Sequence, residues 1–433
     1  MSAIICLAAA FALTAEAAPL RLSVDEAVQR ALEASHRVRE AAARADAAEA
    51  VVEQRRASAL PQIAAQAGYT RTNHVETFGV LLPNNQFRLI YPDIPDNYRT
   101  RLDLQWPLYT GGRLDALERA ARIEATASSD DIATARADLT LEVTRAYWTL
   151  VTAVESLRVV DESVARVDAH LRDVRNQFAA GLLPPNDVSS VEAQGSRQRM
   201  LQVQARAARD VAEAELARLV GAAPGTPIET IAMLDVPPRV PASMDELIDL
   251  AGRQRPERAS LVKRVAAAAE RNRAAAAGTK PNIGVGGGFD YARPNARIFP
   301  REDAWRTSWD AGVNVSWPLL DGGRTRGELA EASAAGRAAE ERLAEFDSVV
   351  AVEIRQRMSE IDASRAAIAA ANDAVRSARE ARRVVGDRFA AGVATSTDVL
   401  DAQVALLQAE LDRTQAIAAA RLADARLARA VGR

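Results

Sequence analysis

Two spacings of apolar residues take turns along this chain. The first has period two. Trp309, Ala311, Val313, Val315 and Trp317 fall on one side of an extended segment, with Asp310, Gly312, Asn314 and Ser316 on the other. Ile283, Val285, Phe289 and Tyr291 alternate in the same way, as do Leu102, Leu104, Trp106 and Leu108. Alternation over about ten residues, apolar outward and polar inward with aromatics near the ends, is the pattern of strands crossing an outer membrane. An ordinary amphipathic sheet over a soluble core has the same pattern segment by segment. The second spacing steps by three and four: Leu139, Val143, Ala146, Leu150, Val154, Leu157, Val160, Val164, Val167, Leu171, Val174, Phe178. Ile354, Ile361, Ile368 and Val375 recur at intervals of seven, the spacing of helices wound on one another.

No proline or glycine interrupts Leu114 to Gln177. A helix over those roughly 64 residues is on the order of 95 Å long at its standard rise, far beyond an ordinary globular helix. The flanking helical segments, about 37–58 and 187–220, are together close to its length, so two short helices stacked end to end pair along one long one.

The chain also contains itself twice. Trp106-Pro107-Leu108-Tyr109-Thr110-Gly111-Gly112-Arg113 returns 211 residues later as Trp317-Pro318-Leu319-Leu320-Asp321-Gly322-Gly323-Arg324. Phe178-Ala179-Ala180-Gly181 returns as Phe389-Ala390-Ala391-Gly392, and Asp187-Val188 as Asp398-Val399, at that same spacing. Upstream, Asp25-Glu26 and Pro61 match Asp245-Glu246 and Pro281 at a spacing of 220, so the first copy carries nine extra residues between Pro61 and Trp106. The expected organisation is a signal peptide over 1–17, a first repeat over 18–221, a Pro-rich linker over 222–243 and a second repeat over 244–433. Each repeat reads helix, strand, strand, long helix, helix.

Four strands do not close a barrel, and a sheet in lipid leaves no open edge. Three copies supply twelve strands and, from six long helices and six stacked pairs, a wall of twelve helical columns. The predicted fold class is therefore mainly α with a membrane β-barrel contribution, assembled as a homotrimer.

Composition agrees with thin helices rather than a thick core. Aromatics are 4% of the 433 residues, Ala and Arg dominate, and lysine occurs only at Lys263 and Lys280. A net charge of −3 gives no reason to expect a nucleic-acid partner. Ala3 to Leu13 is apolar and Ala15-Glu16-Ala17 is a small-x-small cleavage site, although the basic start of a secretory signal is missing; a buried N-terminal helix is the alternative. The one cysteine, Cys6, lies in this segment. Three scattered histidines, His36, His74 and His170, offer little for a metal site or a triad, and Gly286-Gly287-Gly288 has no following lysine and hydroxyl to make a phosphate loop. No cofactor, metal or catalytic role is expected.

The Trp-Pro-Leu-(Tyr/Leu)-x-Gly-Gly-Arg segments at both strand-to-helix junctions resemble those of the TolC-like outer membrane efflux family. The paired turns Phe178-Ala-Ala-Gly181…Asp187-Val188 and Phe389-Ala-Ala-Gly392…Asp398-Val399-Leu400-Asp401 share that resemblance. It covers essentially the whole chain after the signal. It implies a trimeric outer-membrane duct that meets a periplasmic adaptor and an inner-membrane pump. By the same resemblance Gly181 and Gly392 match turns where adaptors dock, Asp398 and Asp401 match acidic rings at the periplasmic aperture, and Asp187 matches a position that holds the aperture closed. Glycine is equally what a helix C-cap requires, and Asp187 and Asp398 equally suit N-capping. Phe389 and Ala394 stand where the family pattern has a tyrosine and an arginine that tie the closed aperture, and Pro184-Pro185 stiffens the first turn. Two other readings stay open: a duct whose cargo is a secreted polypeptide, and a periplasmic coiled-coil adaptor or scaffold with no barrel.

Overall fold

The computed structural model describes residues 19–233 and 243–433. The expected signal peptide over 1–17 and positions 234–242 of the expected linker lie outside the described residues. The chain divides into two compact units. One comprises the residues up to Glu40 with Ile132–Pro256 and Asp347–Arg433; the other comprises Ala41–Asp131 and Glu257–Phe346. Among the described residues no helix is long and apolar enough to cross a membrane.

The second unit holds the main sheet. Strands β2 (Gln62–Arg71), β5 (Asp96–Tyr109), β7 (Asn282–Arg293) and β8 (Arg306–Ser316) lie in that order, antiparallel throughout. Among the described residues neither β2 nor β8 has a second neighbour, so the sheet ends in two unpaired edges. Register decides what each face carries. Ala65 pairs with Leu102, Leu102 with Phe289 and Phe289 with Trp309, while Trp106 pairs with Val285 and Val285 with Val313. Every second residue points to the same side of a strand, so one face is a continuous apolar surface. Ile63 is 75% exposed on it and Trp309 72%. Trp317, expected to close the alternation of the fourth strand, lies one residue past β8, and its Nε1 donates to the carbonyl of Thr279 at 3.0 Å.

The nine extra residues of the first half take a form the alternation did not predict. Between β2 and β5 stands a separate hairpin, β3 (Phe78–Leu81) and β4 (Phe87–Tyr91). Its turn is closed by bonds between Leu82 and Gln86 and between Asn85 and Leu82, both at 2.9 Å. Asn85 adopts φ 60°, a left-handed conformation that asparagine tolerates.

Helix α2 (His36–Ala57) packs through Val52 on Ala121 and Ala125, near the start of α3 (Arg113–Ala179). Helix α6 (Pro256–Ala276) meets the same part of α3 through charge: Arg264 and Arg271 both reach Glu124, and Arg119 reaches Glu270. Alanines such as Ala267 and Ala274 are buried there. Small side chains let helices approach closely, and ion pairs then set the register.

The other unit contains the rest of α3, which is 67 residues long, and of α7 (Arg324–Ala390), also 67 residues. With them stand α4 (Pro185–Leu219) and α8 (Ser396–Ala430), 35 residues each. Most of the stepping residues are buried, among them Leu139, Val143, Leu150, Val167, Val174, Ile354 and Ile361. Val154 and Phe178 are exposed instead. Strict three-four stepping averages 3.5 residues against 3.6 per turn, so the stripe drifts around the helix.

Two pairs of shorter helices complete the chain, α1 (Val24–Ala34) before α2 and α5 (Met244–Gln254) before α6. The first members begin with equivalent capping boxes, Ser23 with Glu26 and Ser243 with Glu246. Strand β1 (Leu20–Leu22) pairs in parallel with β6 (Ile228–Thr230), a pairing that no pattern in the sequence announces. Tyr147 fixes this pair to α3: fully buried, its hydroxyl donates to Leu22 O at 3.0 Å and accepts from Ala232 N at 3.1 Å. Around it pack Leu22, Val143, Leu150 and Leu216, each worth about 1.5–3 kcal/mol of burial.

Candidate functional site

Three places gather the residues singled out in the sequence: the strand-to-helix junctions, the polar side of the sheet and the helix-turn end of the four long helices.

At the junctions the two glycine pairs have positive φ, 65° and 86° at Gly111 and Gly112, 65° and 89° at Gly322 and Gly323. This left-handed geometry turns a strand sharply into a helix and is open mainly to glycine. A Cβ on Gly111 would also lie 2.7 Å from Lys280 Cβ. The residue before each pair supplies the first acceptor of its helix. Thr110 Oγ1 accepts from Leu114 N at 3.3 Å, and Asp321 accepts from Gly323 N at 3.1 Å and Thr325 N at 2.9 Å. Pro107 lies in β5 beside a register shift, and Pro318 follows β8 at the chain's exit from the sheet. Trp106 and Trp317 are both exposed at these junctions, where amphipathic rings commonly sit at a membrane surface.

The polar face of the sheet carries Arg99, Arg101 and Asp103 from β5, Asp290 from β7 and Asp310 from β8, linked by ion pairs. The Gly286-Gly287-Gly288 run belongs to β7. A Cβ on Gly287 would lie 2.8 Å from the backbone oxygen of Asp310, and one on Gly288 would strike the guanidinium of Arg101. These glycines thus serve close strand approach and the seating of an arginine.

At the helix-turn end, Gly181 and Gly392 close α3 and α7 with the same motif. Leu182 N donates to Gln177 O and Gly181 N to Phe178 O, both at 2.9 Å; Val393 N donates to Arg388 O at 2.9 Å and Gly392 N to Phe389 O at 3.0 Å. This six-to-one and five-to-two pair is the glycine C-cap, with φ 76° and 72°. A Cβ at either glycine would meet no atom within 4 Å, so both turns present bare backbone to the surroundings.

The expected N-capping roles of the aspartates are revised. Pro184 occupies the N-cap position of α4, and Asp187 sits three residues further on, half-buried, with no hydrogen bond to its carboxylate among the described residues. Thr395 is the N-cap of α8, and Asp398 is its reciprocal partner. Asp398 accepts from Thr395 N at 2.8 Å and from Thr395 Oγ1 at 2.7 Å, and its own N–H donates back at 3.2 Å. Those bonds hold its carboxyl below the usual aspartate range. Asp401 follows one turn later, exposed, with no ion pair among the described residues. Both carboxylates stand on the outward side of α8, whose buried side carries Val399 and Leu400.

Phe389 packs beneath, in one cluster with Val167, Leu171, Val174, Val191, Val399 and Leu400. Its ring meets His170 edge-on at 5.1 Å, and a hydrogen bond of 3.0 Å joins His170 Nε2 to Ser396 Oγ. Burial pushes the imidazole toward its neutral form. Sequence reasoning left His170 without a role; it is a packing residue that ties α3 to the start of α8. Its partners lie more than 200 positions away, a relation that spacing along the chain does not carry.

The model of the family described as "Outer membrane efflux protein" matches residues 27–222 and again 247–433. The chain therefore belongs to the outer membrane efflux protein family and is an outer-membrane protein of the TolC-like kind found in Gram-negative bacteria. It is 27% identical to the outer membrane protein TolC of Vibrio cholerae, over 87% of this chain and 82% of that protein. It is also 27% identical to the alkaline protease secretion protein AprF of Pseudomonas aeruginosa, over 72% of this chain but 65% of that protein. Among solved structures, the outer membrane protein VceC of Vibrio cholerae superposes with a TM-score of 0.78 at 21% identity, covering 94% of this chain and 96% of that one.

Proposed function

We propose that this chain is one protomer of a passive export duct. Three copies close their sheets into a twelve-stranded barrel and their helices into a twelve-column periplasmic tunnel. The carrying observation is the four-stranded sheet with one continuous apolar face and two unpaired edges. In lipid every edge must be paired and every apolar side chain has a solvent that suits it. Joining β8 of one protomer to β2 of the next pairs every edge and turns the polar face to a water-filled interior. The two halves, matched separately by the family model, are read as tandem repeats around 18–221 and 244–433.

In this reading Gly181 and Gly392 meet a periplasmic adaptor, and an inner-membrane pump supplies the energy. Asp398 and Asp401 form two acidic rings at the aperture, with Asp187 facing them from the neighbouring turn. Phe389 replaces the polar closure tie by apolar packing on His170. The duct carries out no catalytic step and uses no cofactor. An adaptor or scaffold without a barrel has no use for the exposed apolar sheet face. A polypeptide cargo is the second reading, supported by the likeness to AprF, a protein named for protease secretion.

Topology is testable on cells. The segment 73–98, with the hairpin β3–β4 and its exposed Phe78, Leu81 and Phe87, lies at the loop end of the sheet and should face the exterior. An epitope placed at Asn84-Asn85 is expected to be labelled by antibody on intact cells. Labelling only after the outer membrane is opened would invert the topology.

A further inference from the structure

The polar face of the sheet is not evenly polar. At the end of the strands away from the helix junctions, four arginines line one cavity of about 640 Å³: Arg99, Arg101, Arg297 and Arg301. Three carboxylates share three of them. Arg101 donates to Asp103 at 2.5 Å, to Asp310 at 3.1 Å and also to Asp290. Arg99 Nε donates to Asp290 at 2.6 Å, and Arg297 reaches Asp310 at 3.0 Å. The guanidinium of Arg101 lies against Gly288, where any larger residue would displace it.

Arg301 is different. It faces no carboxylate among the described residues. Its Nη1 donates to the hydroxyl of Tyr91 at 2.9 Å and its Nη2 to Asn97 Oδ1 at 3.5 Å, with the Tyr91 ring 5.2 Å from its centre. Its Nε has no partner among the described residues. Arg99, 60% exposed, uses only Nε, so both its terminal nitrogens are free of bonds to the described residues. Four guanidiniums against three carboxylates leave one uncompensated positive charge, held by a neutral phenol and a neutral amide.

We propose that this cavity is an oxyanion-binding subsite. It takes a carboxylate or phosphate group of a passing solute, with Arg99 and Arg301 as the recognising side chains. A guanidinium offers a flat fork of donors that matches such a group, and positive charge on a low-dielectric wall concentrates anions locally. The internal pairs hold Arg99 and Arg101 in place, so the site is assembled before the solute arrives. Tyr91 belongs to the hairpin strand β4, which gives the extra hairpin of the first half a role: it positions Arg301. The proposal rests on the duct reading for placing this face in the conduit.

The test uses the full protein in two settings with citrate as the probe. In a planar bilayer, citrate added from the loop side is expected to reduce the single-channel current. The half-blocking concentration should rise at least tenfold in the Arg99→Gln/Arg301→Gln variant and rise by a smaller factor in Arg301→Lys, which keeps the charge but loses the fork. Calorimetric titration of the detergent-solubilised protein should show citrate binding in wild type and at least tenfold weaker binding in the double variant. A conducting wild type whose current and calorimetric trace ignore citrate overturns the subsite and leaves the duct intact. Equal block in wild type and double variant also overturns it. A stable monomer in detergent overturns the duct reading itself, whereas calorimetry still judges the site.

Discussion

Gly181→Trp and Gly392→Trp together are expected to abolish export, by a hundredfold or more in a transport assay, while protein level, trimer and membrane insertion stay at wild-type values. The structure separates the two consequences of the change. A Cβ at these positions meets no atom of the protomer within 4 Å, so a side chain there starts into open space. The remaining cost is the positive φ of 76° and 72°, about 1–2 kcal/mol per residue for a left-handed L-residue. That cost is local, at the end of helices anchored by the Val174, Val191, Phe389 and Leu400 cluster. The matching alanine variants carry the same conformational penalty without the bulk and are expected to export nearly normally. Normal export by the tryptophan pair would remove docking at these turns from the account.

The second large effect concerns charge at the aperture. Asp398→Asn with Asp401→Asn is expected to bring the cation preference of the channel close to unity. It should also raise the half-blocking concentration of a trivalent cation, applied from the helix side, at least tenfold. Asparagine is chosen over alanine because Asp398 also supports the fold. It accepts both the N–H and the hydroxyl of Thr395, and an amide oxygen preserves an acceptor there. The cap's sign is clear. A carboxyl held below its ordinary value stabilises the fold above the unfolded aspartate pKa, and that contribution is lost as pH falls through the depressed folded value. Three converging copies act the opposite way, since neighbouring carboxylates favour proton uptake. Acidification therefore separates them: block that disappears with a midpoint above the ordinary aspartate value reports mutual repulsion. Block unchanged in the double variant makes these residues cap and surface groups only.

The parts of the fold legible in the sequence are those set by local periodicity and by breakers. The uninterrupted run from Leu114 to Gln177 became α3 with ends at Arg113 and Ala179, because glycine alone supplied both stops. The alternating segments became β5, β7 and β8 because their period of two matches a strand, with Pro281 and Pro294 lying just outside β7. Less legible was whatever depended on pairing. Strands β1 and β6 are three residues each, too short for any pattern to stand out. The hairpin β3–β4 was hidden among Pro83, Pro92 and Pro95, although Asn84-Asn85 marks its turn. Arg99, Arg101 and Asp103 were visible on one side of a strand. Their partners Asp290 and Asp310 emerge only from register, which a one-residue slip would reverse. At the tip, the cap geometry of the glycines could be read from residue type, but N-capping belongs to Pro184 and Thr395.

The central claim is that one sheet per chain, open at β2 and β8, closes only with two others. Determination of the protein's mass in detergent, with bound detergent subtracted, addresses it most directly. The account predicts a single species at three times the mass of the chain, persisting on dilution. A stable monomer or dimer that retains the folded sheet would contradict it.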